Sequence, residues 1–162
     1  DARGLYQRLT AREHLIYFGR LHGLGGEALA ARVAELIARL DMSGIADRRC
    51  AGFSQGERMK VALARVLVHQ PRHLLLDEPT NGLDVMSTRS VRELLRGLRD
   101  EGHAIVFSSH IMQEVAALCD HIVIIAKGRV VAEGSHDALR AQAGVDDLEE
   151  AFVRLTDGEV QR

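Results

Sequence analysis

Leu74-Leu75-Leu76-Asp77-Glu78-Pro79-Thr80-Asn81-Gly82-Leu83-Asp84 is an apolar run that stops abruptly at two adjacent carboxylates. The run is too short and too uniformly apolar for a surface strand, so it predicts a strand inside a sheet covered on both faces. Pro79 and Gly82 prevent simple continuation and force a turn. Acids delivered to the carboxyl end of such a strand are how a nucleotide site places one carboxylate near Mg²⁺ and the next near an attacking water. Asp77 is the candidate for the metal shell, through water, and Glu78 the candidate for polarising the water. Taken alone, an Asp-Glu pair also serves to cap a turn, and Asn81-Gly82 followed by Asp84 reads as a turn and a helix cap.

The flanking segments fit the same site. Upstream, Phe53-Ser54-Gln55-Gly56-Glu57-Arg58 opens a helix that runs to Pro71, with Val61, Leu63, Ala64, Val66 and Leu67 giving broad apolar coverage. Ser54 followed by Glu57 three residues later is a capping box. The same helix start could instead offer the Ser54 hydroxyl and the backbone amides near Gly56 to phosphate oxygens, aided by the helix dipole. Downstream, Ala104-Ile105-Val106-Phe107-Ser108-Ser109-His110 predicts a second buried strand. His110 just beyond it can hydrogen-bond a terminal phosphate or the attacking water. Residues 86–99 carry Val91, Leu94, Leu95 and Leu98 on one helical face, so the two strands are joined by a helical crossover and must be parallel.

The remaining segments have ordinary signatures. Thr10-Ala11-Arg12-Glu13 is a capping box before Leu15, Ile16, Phe18 and Leu21, and Gly23 stops that helix. A second helix is expected over 27–40 on the spacing of Leu29, Val33, Leu36, Ile37 and Leu40. Residues 111–118 predict a short helix, and 122–126 with 129–133 a hairpin around Lys127-Gly128. Ser135 caps a helix towards residue 142, and a last helix is expected over 147–153.

Composition bounds the function. The 162 residues suffice for one substantial core, with 46% apolar and 27% charged residues and a net charge of -2. Nothing in that balance supports nucleic-acid binding. Cys50 and Cys119 are isolated, without metal-ligand spacing, and read as reduced thiols. No apolar stretch approaches the roughly 20 residues of a membrane span, and no secretory leader stands at Asp1. His14, His22, His69, His73, His103, His121 and His136 read as surface or satisfied structural groups.

The ordered set of motifs resembles the ATP-binding-cassette (ABC) ATPases over nearly the whole chain. Residues 53–57 look like the signature loop, 74–77 like the second nucleotide-binding strand, Glu78 like the catalytic carboxylate, residues 81–84 like the dimer-contacting loop and His110 like the switch histidine. The appearance is closest to ATPase subunits of bacterial sodium-efflux systems. The resemblance implies an α/β, P-loop NTPase-like ABC fold, incomplete, with a helical signature region at about 5–70. A catalytic parallel-sheet region at about 71–134 and C-terminal helices at about 135–162 would complete it.

It also implies ATP and Mg²⁺ as cofactors, held between two domains, so that Ser54 and Gly56 would serve an ATP bound mainly by a second ABC subunit, with Gln55, Glu57, Asp77 and Asp84 also in the nucleotide site. The implied role is to power export through a transmembrane permease, at the cytoplasmic face of the membrane, with no nucleic-acid partner expected. Gln55 and Glu57 replace the usual Gly and Gln of the signature. Asp1 stands near the family's metal-sensing glutamine, with a shorter, acidic side chain. No G-x-x-x-x-G-K-[ST] loop occurs in these residues. Weak or absent ATP binding, and no activity, are therefore expected of this stretch alone. The competing readings are a non-catalytic assembly or regulatory module and a soluble ABC ATPase of translation or DNA repair.

Overall fold

The computed structural model describes residues 4–157. The chain divides into two compact units between Ser108 and Ser109. The first holds α1 (Ala11–Leu21), α2 (Gly26–Arg39), α3 (Gln55–Leu67), β1 (His73–Asp77), α4 (Val85–Asp100) and β2 (Ala104–Ser108). The second holds α5 (Met112–Leu118), β3 (Ile122–Ala126), β4 (Arg129–Gly134), α6 (His136–Ala143) and α7 (Leu148–Asp157). Asp1, the weak metal candidate, lies outside the described residues.

In the first unit, α1, α2 and α3 pack on one another. Their buried stripes are those of the apolar spacing: Leu15 from α1, Leu29, Val33 and Leu36 from α2, and Val61, Ala64 and Leu67 from α3. The α2–α3 connection adds Met42 and Phe53, both fully buried. Thr10 closes its capping box with Glu13, and Arg12 holds Asp47 at 2.7 Å, which fastens this connection to the start of α1. Burying each such side chain contributes about 1.5–3 kcal/mol.

Two residues of α1 depart from expectation. Leu21 is exposed, because the helix ends there and the chain turns away at His22 and Gly23. His14 is neither on the surface nor satisfied. It is fully buried, and neither ring nitrogen has a hydrogen-bond partner among the described residues. It packs instead between aromatic rings, 4.8 Å from Phe18 and 5.7 Å from Tyr6. Burial, assisted by the charge of Arg65, pushes its pKa down to about 4. Between that value and the ordinary 6.5 the unfolded chain takes up the proton and the folded one refuses it. Stability is therefore full above pH 6.5 and expected to fall by on the order of 3 kcal/mol as the pH drops to 4. His14→Phe should flatten this part of a urea-midpoint profile against pH, and an unchanged slope would exonerate His14.

β1 and β2 pair in parallel, with Leu74 opposite Ile105 and Asp77 opposite Ser108. The crossover helix α4 buries Val91, Leu94, Leu95 and Leu98, as its spacing predicts. Burial of the sheet on both faces is not observed. One face carries Leu74, which is buried, with the half-buried Leu76, Ile105 and Phe107; on the other, Leu75 is 81% and Val106 65% exposed. The alternation follows from the pleat, and among the described residues nothing packs over the second face.

The second unit is a hairpin with helices on it. β3 and β4 are antiparallel, with a bulge at Ile124/Ile125. Lys127 and Gly128 take φ of 49° and 75°, the left-handed pair that a tight hairpin turn requires. Ile124, Ala132 and Leu139 form the core, flanked by Phe152 and Leu155 of α7.

Candidate functional site

The end of β1 forms the turn that the sequence suggests, with one addition. β1 stops at Asp77, and Glu78 enters the left-handed region at φ 46°, an uncommon conformation for a residue with a Cβ. The chain thus turns sharply between the two acids instead of placing them on opposite faces of a continuing strand. Asp77 is exposed and Glu78 half-buried. The Ser108 hydroxyl, at the end of β2, donates to Asp77 Oδ1 at 2.6 Å and accepts the Glu78 N–H at 2.9 Å. Asn81 N–H closes the turn onto the Glu78 carbonyl at 3.1 Å. Pro79 and Thr80 are buried beneath it. The motifs do not single out Ser108; its place opposite Asp77 in the parallel pair is the signal that marks it.

The signature segment and the turn after the acids form one seam. Gln55 Nε2 donates to the Asn81 carbonyl at 2.8 Å. A Cβ on Gly82, whose φ is 70°, would lie 2.4 Å from Gln55 Nε2. A Cβ on Gly56 would lie 2.5 Å from Ser87 Oγ in the first turn of α4. Residues 54–57 and 81–87 are therefore neighbours, and the N-termini of α3 and α4 lie side by side.

Both N-termini are capped. Ser54 Oγ accepts the Glu57 N–H at 3.2 Å, and Glu57 Oε2 accepts the Ser54 N–H at 2.8 Å. The Ser54 N–H bond, with Arg48 2.9 Å away, holds the Glu57 carboxyl below its usual range. Asp84 Oδ1 accepts from Met86 and Ser87 amides at 3.0 and 2.9 Å, and Oδ2 from the Ser87 hydroxyl at 2.8 Å. Those bonds, the Ser87 amide foremost, depress the Asp84 pKa. The cap reading of Ser54 and Asp84 is thus realised, and Gly56 is buried against Ser87. Ser54→Ala should cost about 1 kcal/mol and Ser54→Asp almost nothing, read as urea-midpoint shifts at pH 7. Equal losses in both would mean that the cap is not what holds this helix end.

His110 lies in the second unit and is exposed. Its loop is set by Ser109, whose hydroxyl accepts the Ile111 N–H at 3.1 Å and reaches the buried Glu114 at 3.4 Å. Of the other histidines, His103 bonds the Pro71 carbonyl at 2.8 Å, His22 stacks on His69 at 3.8 Å, and His73 and His121 are exposed. Among the described residues no group of three or more His, Cys, Asp or Glu is gathered to hold a metal.

Comparison with known proteins gives the family of the chain. The family described as ABC transporter matches residues 1–81. The chain is 46% identical over 150 residues to "ABC transporter ATP-binding protein NatA" of Bacillus subtilis, covering 93% of this chain and 61% of that protein. It is 38% identical to "Nod factor export ATP-binding protein I" of Burkholderia orbicola, over 86% of this chain and 46% of that one. It is also 33% identical to "Linearmycin resistance ATP-binding protein LnrL" of Bacillus subtilis, over 89% and 46%. The solved "Structure of ATP binding subunit of ABC transporter" superposes with a TM-score of 0.82 at 31% identity, covering 93% of this chain and 64% of that chain. The chain thus spans about half to two thirds of the length of these relatives. The α/β fold is that of the ABC ATPases, and the chain belongs to the ABC transporter ATP-binding protein family.

Proposed function

We propose that this chain supplies the signature helix, the acidic strand end and the switch histidine of an ABC ATPase subunit that powers export through a partner permease. The observation that carries the reading is the Asp77–Glu78 turn held by Ser108 in the same unit as the capped start of α3. Carboxylate oxygens suit Mg²⁺, which keeps waters and takes one or two acids plus phosphate oxygens. An exposed Asp77, with no group of three or more His, Cys, Asp or Glu gathered to hold a metal among the described residues, fits that chemistry. When bound, Mg²⁺·ATP supplies the phosphoryl group to be transferred. Asp77 would hold the metal through water, Glu78 would orient and polarise the attacking water, and His110 would hydrogen-bond the terminal phosphate. The α3 amides and the Ser54–Glu57 loop would face the phosphates of an ATP held by a second ABC subunit.

Val85 and Met86, 83% and 68% exposed just after Asp84, offer an apolar contact for that second subunit. Among the described residues no helix is long and apolar enough to cross a membrane, which suits a chain reaching the cytoplasmic membrane face through its permease. The test is Mg²⁺-dependent ATP hydrolysis by the complete gene product that contains this chain, with turnover expected to rise cooperatively with ATP. Nucleotide binding without turnover would reassign the chain to a non-catalytic assembly module.

A further inference from the structure

Ser108 ends β2 and stands opposite Asp77 in the parallel ladder. A hydroxyl has one proton to give and two lone pairs to offer. Here the proton goes to Asp77 Oδ1, at the 2.6 Å typical of an O–H bound to an ionised oxygen, while a lone pair takes the Glu78 N–H at 2.9 Å. One side chain thus grips the carboxylate of the first acid and the backbone of the second. That backbone is in the left-handed region, which a residue with a Cβ keeps only where its surroundings hold it.

We infer that Ser108 is a positioning residue which orients Asp77 and Glu78 as one unit, so that the metal-shell acid cannot be set without setting the water-polarising acid. The inference deepens the proposed hydrolysis and rests on it. A merely structural role would cost stability and leave kcat and the Mg²⁺ dependence unmoved, so those readouts separate the two. The effect of the two bonds is on direction. Threonine keeps the hydroxyl and suits a strand, whereas alanine removes both bonds at once.

The experiment compares Ser108→Ala and Ser108→Thr in the complete subunit. Ser108→Ala is expected to lower kcat roughly 10- to 100-fold and to raise the Mg²⁺ concentration for half-maximal turnover about tenfold, as loss of a partner that orients a metal-shell acid does. KM for ATP should stay within about twofold, since the nucleotide is bound mainly elsewhere. Ser108→Thr should restore kcat to within about threefold of the parent, because it replaces the donor and the acceptor.

A readout independent of turnover is amide hydrogen exchange at Glu78 in nucleotide-free protein. It should be faster in Ser108→Ala and restored in Ser108→Thr. Parental kcat and parental exchange in Ser108→Ala would overturn the inference, as would a kcat loss that Thr leaves unrescued while exchange is normal. If Glu78→Gln turned over ATP like the parent, the hydrolytic reading would fail instead, and the Glu78 exchange rates would still decide whether Ser108 holds that turn.

Discussion

In the complete subunit, Glu78→Gln is expected to lower the turnover of bound ATP by roughly 10²–10⁴-fold while leaving nucleotide affinity within about a factor of two. Glutamine keeps the length, the half-buried packing and the left-handed backbone of Glu78, so the turn and the Ser108 bond to its N–H survive. What disappears is the anionic oxygen that accepts from a water. Because that interaction is made with the nucleophile and not with the nucleotide, the loss belongs in kcat. Single-turnover hydrolysis and equilibrium nucleotide binding, measured on the same preparation, separate the two. A substitution that leaves turnover intact would reduce Glu78 to a turn residue, the bland reading of an Asp-Glu pair at a strand end.

The largest effect on stability is expected at Phe53. It is fully buried in the first unit, and the Arg48 guanidinium stands 5.4 Å from its ring centre. Its carbonyl accepts from Arg58 Nε at 2.8 Å, and its N–H bonds the Cys50 carbonyl at 3.3 Å. Phe53→Ala should cost about 3–5 kcal/mol, through lost transfer energy and the cavity left behind, and Phe53→Leu less than half of that. Denaturant unfolding followed by a probe in the first unit reads the difference. The residue immediately precedes Ser54, so the same cavity loosens the entry into α3. A loss of about 1 kcal/mol or less would mean that the α2–α3 connection is not a fixed part of the core.

Most of the elements were legible because each was specified locally. Thr10, Ser54, Asp84 and Ser135 all cap the helices that their spacing announces, and β1 and β2 pair in parallel as a helical crossover demands. What the sequence did not reveal is set by neighbours distant along the chain. Three leucines in a row look equally buried, yet Leu74 is covered and Leu75 is bare, because cover depends on what packs over each face of the sheet. His14 looks like a surface residue until the rings of Tyr6 and Phe18 close over it.

The candidate site divides in the same way. Asp77, Glu78 and the start of α3 are marked by local chemistry. Ser108 acquires its role only from register, and Gln55 from a turn 26 residues away. The caps formed by Ser54 and Asp84 follow the local reading, each side-chain oxygen being taken by the first turn of its own helix.

The fit of Gly56 against Ser87 reaches beyond one molecule. A methyl group at position 56 would collide with the very hydroxyl that bonds Asp84, so Gly56→Ala asks Ser87 to give way and Asp84 to lose a donor. Substitutions at positions 56 and 87 should therefore be strongly epistatic. In a pairwise mutational library, a methyl at 56 would survive chiefly beside alanine or glycine at 87, which lack the hydroxyl it meets.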